Sequence, residues 1–281
     1  FHKKAYFGFE DRATLQPAVG WAAKAAAAGD PFFLNVLTLT SHHPYDIPDS
    51  FATIDFGTPN RELNAYYNSL RYTDDFLRSF MREMDEAGLL RNTVVMILGD
   101  HGEAFQEHME KTHGNVVWDE ALRVPAILYG PGIISPGQRI RGARQHIDLL
   151  PTVAGLLNAE LSGGALPGRS LLVDVPEDRT LYHHSLDDGR VMALRRDSLK
   201  FMYFYKQAPS KVYNYIEDPD ERYDLASNFS DEELSSMELE LLFWRKRVTQ
   251  AYPDRRRVRL YPKTLADSTD VASRMVQPPA L

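Results

Sequence analysis

The feature that most constrains this chain is a unit that recurs three times. A short, mostly apolar run of β-favouring residues ends in a peptide rich in Gly, His, Asp or Thr. Residues 32–38 (FFLNVLT) lead into Thr40-Ser41-His42-His43-Pro44-Tyr45, and residues 92–98 (NTVVMIL) lead into Gly99-Asp100-His101-Gly102-Glu103. Residues 124–129 (VPAILY) lead into Gly130-Pro131-Gly132. Helical patterns separate these runs. Residues 17–28 are Ala-rich and are stopped by Gly29-Asp30-Pro31. Residues 59–87 repeat apolar side chains at spacings of three and four, among them Leu63, Tyr66, Leu70, Phe76, Phe80 and Met84, and Gly88 closes them. Residues 146–157 form a further amphipathic helix. Such alternation predicts an α/β fold, a doubly wound and mainly parallel sheet with helices on both faces. Ligands of such sheets bind outside the carboxyl ends of the strands, where the polar peptides fall.

The pattern changes after about Val175. Segments 181–184, 191–195, 200–205 and 211–215 are short and separated by the turn pairs Asp188-Gly189, Asp197-Ser198 and Pro209-Ser210. They read as a small C-terminal antiparallel sheet. A charged amphipathic helix over 231–248 follows, and the tail from Arg255 reads as irregular. The expected division is therefore an α/β part over 1–178 and a small antiparallel subdomain with helix and tail over 179–281.

Composition removes several functions. With no cysteine, the chain has no disulfide scaffold, thiolate zinc site, iron–sulfur cluster or Cys nucleophile. A net charge of −7 argues against a general nucleic-acid binder. No run approaches the roughly 18–20 apolar residues of a membrane span. The opening Phe1-His2-Lys3-Lys4 lacks Met and reads as the start of a fragment.

Among the polar peptides, Asp100-His101 joins a carboxylate to an imidazole between two glycines. The donor pair suits zinc or manganese, and an Asp that caps a following helix fits the same residues. His42, His43 and His113 offer imidazoles at neighbouring strand ends, and each also reads as an ordinary hydrogen-bonded or solvated side chain. Glu103, Glu107 and His108 read as exposed first turns of a helix. Thr38, Thr40 and Ser41 bring hydroxyls near the same end, but none has an adjacent base to make it a nucleophile.

Taken in order, the peptides from Pro31 to Tyr45, Tyr72-Thr73-Asp74-Asp75, Gly99 to Glu103, His113-Gly114, Leu122-Arg123-Val124-Pro125 and His146 to Thr152 closely resemble the sulfatase branch of the alkaline phosphatase superfamily. Within it the chain is most similar to the lipoteichoic acid synthase, phosphoglycerol transferase and phosphoethanolamine transferase group. The resemblance implies that Asp100 and His101 complete the site of one divalent metal ion (Zn, Mn, Mg or Ca). It also implies that His42 and His43 lie beside the substrate, with His42 contacting the transferred phosphate or sulfate. His113 stands where sulfatases proper carry a Lys, which tilts the expectation toward phosphate esters. The family's nucleophile and remaining acidic ligand match nothing in this chain and belong upstream of Phe1.

The expectation is thus the C-terminal portion of a sulfatase-like enzyme that acts on a phosphate or sulfate ester, possibly lipid- or glycan-linked. A membrane anchor in the missing N-terminal part and an extracytoplasmic location, periplasmic or cell-surface, go with it. His42 and His113 would be the catalytic imidazoles. The rival expectation is a non-catalytic module that keeps the fold to bind a lipid, glycan or protein.

Overall fold

The computed structural model describes residues 8–161, 167–185, 190–205 and 207–251. Two helices, α1 (Arg12–Ala27) and α2 (Arg61–Glu86), precede β1 (Val95–Leu98), β2 (Ala104–Phe105) and β3 (Lys111–Thr112). The one-turn α3 (Asp119–Leu122), β4 (Ala126–Tyr129) and α4 (Leu149–Leu156) follow, and a 3-10 turn (His146–Asp148) opens α4. The C-terminal part holds β5 (Leu181–His184), β6 (Val191–Arg196), β7 (Leu199–Phe204), β8 (Lys211–Asn214) and α5 (Asp231–Ala251). The expected Asp188-Gly189 turn and the tail from Arg255 lie outside the described residues.

Helix α2 starts where the Asn60 side chain accepts the N–H groups of Glu62 and Leu63, at 3.0 and 3.2 Å. Its four-residue repeat Tyr72, Phe76, Phe80 and Met84 is buried, and the last three pack on Leu15, Val19 and Ala22 of α1. Each such burial stabilises the fold by about 1.5–3 kcal/mol. Helix α1 begins five residues before Pro17, the expected start, which sits inside it at the cost of one backbone bond.

The run 32–38 is extended and alternates as a strand should. Phe32, Leu34 and Val36 pack on the α1–α2 core, while Phe33 is 78% and Leu37 66% exposed. It joins no ladder among the described residues. Strand β1 pairs antiparallel with β4, from Val95 opposite Tyr129 to Leu98 opposite Ala126. The expected helix at Glu103–His108 is instead the β2–β3 hairpin, in which Ala104 opposes Thr112 and Phe105 opposes Lys111.

The expected C-terminal sheet is present as four antiparallel strands in the order β5-β6-β7-β8. Asp197 turns the chain between β6 and β7 with φ 53°, a conformation that Asp tolerates. Period-2 alternation gives the sheet two buried faces. Met192, Leu194, Phe201 and Val212 pack on Leu241 of α5. Ala193, Met202 and Tyr213 pack on Val116, Val117, Trp118 and Ala121, so one apolar cluster crosses the expected boundary at 178/179.

A buried charge cluster lies under that second face. Lys200 is fully buried, with Nζ 3.0 Å from Asp119 Oδ1 and 2.6 Å from Glu221 Oε1. The other Glu221 oxygen accepts the Asp119 backbone N–H at 2.9 Å. Burial alone would raise the Asp119 carboxyl, yet Lys200 and Arg195 hold it below its ordinary range. Burial also raises Glu221, and there Lys200 offsets only part of the effect. Burial, with Lys200 and Arg195 adding to it, pushes the nearby His183 down to about 3, so its ring is neutral.

Lys200→Met keeps much of the stem but leaves two buried carboxylates without their cation. It should cost about 3–5 kcal/mol in urea unfolding. A loss below 1 kcal/mol would show that the cluster is not held as described. For His183, folding lowers the pKa from the ordinary 6.5, so the unfolded state binds the extra proton. Its contribution is intact above pH 6.5 and is lost as pH falls toward 3, at up to about 1.4 kcal/mol per pH unit. Because Glu221 titrates in the opposite sense, the test is a comparison: His183→Phe should flatten the pH dependence of unfolding between pH 6.5 and 5. Equal slopes in the two proteins would contradict the burial.

Candidate active site

Three peptides converge beyond the Leu98 end of β1. Gly99 to Glu103 leave the strand directly. The β2–β3 hairpin returns the chain so that His113 comes back against it. The third peptide, Thr40 to Tyr45, is held from below by Asp11, whose Oδ1 accepts the N–H groups of Leu39 and Thr40 at 2.6 and 3.1 Å. Thr40 Oγ1 in turn accepts the Asp11 N–H at 3.1 Å, so this buried hydroxyl is a structural tie.

The imidazoles meet at this end. His101 and His113 stack with ring centroids 3.6 Å apart, and His42 sits edge-on to His113 at 6.4 Å. His43 turns away, 5.5 Å from the Tyr45 ring and with Nε2 3.8 Å from Glu62. Both carboxylate oxygens of Glu103 lie 3.3 Å from His113 Nδ1, which assigns the proton to that nitrogen and leaves Nε2 as the basic one. The Glu103 side chain is only 7% exposed, not the solvated carboxylate expected of a helix's first turn. Burial, then the nearby Glu103 charge, pushes the Tyr45 phenol well above the usual range.

The metal-like pair has a specific geometry. The Gly102 carbonyl takes the proton of His101 Nδ1 at 2.7 Å, so Nε2 carries the lone pair. That nitrogen is 3.5 Å from Asp100 Oδ2. Two unprotonated donors facing each other repel unless a proton or a cation lies between them. Ligands about 2.0–2.2 Å from a tetrahedral ion are about 3.4 Å apart, so the spacing fits two corners of such a site. Among the described residues no group of three or more His, Asp or Glu side chains is placed to hold a metal ion, so the pair by itself makes no metal site.

Two further contacts hold these peptides. His146 Nε2 reaches the Gly99 carbonyl at 2.8 Å. The turn that carries His146 is fixed by fully buried Asp148, which pairs bidentately with Arg179 at 2.7 and 2.8 Å and accepts the N–H groups of Gln145 and Arg169. Burial would raise the Asp148 carboxyl, but those donors hold it below its ordinary range. On the other side Gly102 N–H donates to the Ala121 carbonyl of α3 at 2.8 Å. Glu120 of α3 accepts from His108 Nδ1 at 2.7 Å, and the His108 ring stacks on Trp118 at 3.8 Å.

Sequence reading singled out His42, His43, Asp100, His101 and His113, and the structure brings all but His43 to one cluster. It read Glu103 as an exposed helix residue and gave no role to Asp11, Asp148 or α3. The sign available for Glu103 was the Gly-Glu step directly after Asp-His.

Gly102 admits no side chain, because a Cβ would sit 2.0 Å from the Glu120 carbonyl oxygen. Gly102→Ala should therefore displace residues 100–103 from α3 and lower the thermal midpoint by several degrees. Gly20→Ala, where a Cβ in α1 meets nothing within 4 Å, should stabilise by about 0.5–1 kcal/mol. Paired thermal melts and amide NMR spectra check both, and a Gly102→Ala spectrum unchanged around 100–103 would contradict the contact.

With this geometry in place, a family model described as Sulfatase matches residues 3–159. Lipoteichoic acid synthase-like YvgJ of Bacillus subtilis is 31% identical over 176 residues, covering 59% of this chain and 28% of that protein. The ulvan-active sulfatase of Formosa agariphila is 28% identical over 178 residues, covering 57% of this chain and 35% of that protein. The chain thus spans about a quarter to a third of the length of these relatives. Among solved structures, Ps i-CgsB aligns with a TM-score of 0.68 at 20% identity over 84% of this chain and 55% of its own. A protein of the alkaline phosphatase superfamily from Vibrio parahaemolyticus aligns with a TM-score of 0.66 at 18% identity over 89% of this chain and 57% of its own. These likenesses show the α/β fold.

Proposed function

Because the chain belongs to the sulfatase family, we propose that it is the part of an ester-processing enzyme that grips the anionic group of a phosphate or sulfate ester. The observation that carries the reading is the Glu103–His113 pair packed face to face on His101 beside Asp100. A carboxylate that fixes one imidazole nitrogen leaves the other to give or take a proton at the ester oxygen. Transfer of a phosphoglycerol- or phosphoethanolamine-type group is favoured over sulfate hydrolysis, since a lipoteichoic acid synthase-like protein is among the most similar relatives and His113 is an imidazole.

In this reading Asp100 and His101 hold one divalent cation with ligands from outside this chain. Such an ion polarises the ester and lowers the pKa of an attacking hydroxyl. His42 and His113 orient and neutralise the non-bridging oxygens. The nucleophile also comes from outside this chain. In the same reading residues 1–178 belong to the C-terminal part of the catalytic α/β domain, and the β5–β8 sheet with α5 is its small antiparallel companion. Phe33 and Leu37 on the run 32–38, and Ile127 and Tyr129 on β4, are exposed apolar side chains of the kind that the rest of such a domain would cover. An extracytoplasmic, membrane-anchored parent fits the synthase-like relatives, although no helix among the described residues is long and apolar enough to cross a membrane.

The test uses the full-length parent with Mn, Zn, Mg or Ca and aryl phosphate or sulfate esters. Asp100→Ala should lose bound metal by elemental analysis and at least about 100-fold in turnover. His113→Ala should lose about 10²–10⁴-fold with its metal retained. Full metal occupancy in Asp100→Ala would overturn the metal assignment. Absence of turnover in the intact parent, with binding of a lipid, glycan or protein instead, would favour the non-catalytic module.

A further inference from the structure

The chain between Glu103 and His113 is the β2–β3 hairpin, for Glu103 directly precedes Ala104 and His113 directly follows Thr112. Two residue pairs join its strands, Ala104 with Thr112 and Phe105 with Lys111. The turn adds bonds from Gln106 N–H to the Glu110 carbonyl and from Met109 N–H to the Gln106 carbonyl. An isolated two-stranded hairpin is marginal in water at best. This one is also strained, because Gln106, Met109 and Thr112 have φ of 83°, 61° and 65°. Such conformations persist only where surrounding structure over-determines them. The 3.3 Å contact between Glu103 and His113 therefore depends on what grips the hairpin from outside.

The directional grip is at the tip. His108 Nδ1 lies 2.7 Å from Glu120 Oε1, and Nε2 lies 3.3 Å from the Glu221 carbonyl oxygen. The ring also stacks on Trp118 at 3.8 Å, with the planes 4° apart. Of residues 106–112 every one but His108 is exposed. Each of its partners is fixed elsewhere. Trp118 packs with Met202 and Tyr213 of the C-terminal sheet, Glu120 follows Asp119 in α3, and Glu221 pairs with buried Lys200. At the base of the hairpin, Phe105 rests on Tyr45 and Tyr66 with ring centroids 5.9 and 5.0 Å apart. Those contacts bury apolar surface, which is non-directional, whereas the two hydrogen bonds at His108 set an orientation.

We propose that His108 is a positioning residue for the site: bonded to Glu120 and Glu221 at the hairpin tip, it holds Glu103 against His113 at the hairpin base. Its ring contacts Glu120, Glu221 and Trp118 rather than the histidine cluster, so it acts through the backbone of the hairpin. The contact it maintains is sensitive. At 3.3 Å the Glu103–His113 bond is already at the long end of the hydrogen-bond range, and a displacement of about 1 Å breaks it. His113 then has no carboxylate to keep its proton on Nδ1. Through Trp118 and Glu221 the C-terminal sheet thereby contributes to turnover without reaching the substrate. The inference rests on the reading that His113 gives or takes a proton at the ester oxygen.

Two measurements test the proposal. In the full-length parent, His108→Phe keeps a ring on Trp118 and loses both hydrogen bonds, while Glu120→Ala removes the partner and keeps the histidine. Each should lower kcat on an aryl phosphate about 10–100-fold, with bound metal retained and KM within about twofold. Added to His113→Ala, His108→Phe should cost less than about twofold more, because the group it positions is already gone. In the chain of residues 1–281, imidazole nitrogen NMR should show the His113 proton held on Nδ1, and His108→Phe should leave it shared between the two nitrogens. A purely structural role would lower the thermal midpoint but leave kcat below it, and the His113 tautomer, unchanged. That result overturns the proposal, as does an equal loss of kcat with and without His113, or an unmodified chain in which His113 has no fixed tautomer. If the intact parent has no turnover while the His113 tautomer still responds to His108→Phe, the positioning stands and the ester reading alone fails.

Discussion

The ammonium of Lys200 is the interaction on which the site most depends. It stands at the centre of a buried triad, and two carboxylates from segments 102 residues apart converge on it. Taking three charges out of water is expensive, and their mutual attraction repays this only with good geometry and further hydrogen bonds. Here the remaining bonds include the Asp119 N–H to Glu221 and a contact from Arg195. An apolar core of equal volume could hold the sheet at least as well. What the triad adds is direction: it fixes where α3 lies, and the α3 carbonyl that Gly102 needs lies there with it.

The same device backs each peptide of the site. Asp11 ties the residues that lead to His42. Asp148 secures the turn from which His146 holds Gly99. Asp119 secures the helix that holds Gly102. Each buried carboxylate accepts backbone N–H bonds or a charged partner, so each fixes a loop that apolar contacts alone would leave free to slide. The exposed Asp100 and the histidines are thereby presented on loops whose geometry is set one layer down. The C-terminal sheet, which supplies Lys200 and the apolar face under Trp118, is thus part of the site's construction.

Much of this was legible in the sequence for a physical reason. Helical and strand periodicities are local, so α2, α5 and the four C-terminal strands stand out, and the Gly-flanked Asp-His and the two outlying histidines mark a strand end. The hairpin at 104–112 was not legible, because it relies on positive φ at Gln106, Met109 and Thr112, which are not typical turn residues there. Glu103 read as solvated because charged side chains usually are, and only its pairing with His113 across the hairpin buries it. Lys200, Asp119 and Glu221 give no local sign at all. A buried lysine is recognisable only from its partners, and these are 81 residues before it and 21 after it.

Native-state hydrogen exchange in increasing urea tests this construction most directly. If α3 and the Lys200 triad hold the Asp-His peptide, the amides of Gly102, Asp119 and the β6–β7 ladder should open in one cooperative unit, with the same free energy and the same urea dependence. A Gly102 amide that exchanges through a separate opening of low free energy, while Asp119 and the sheet stay protected, would contradict the account.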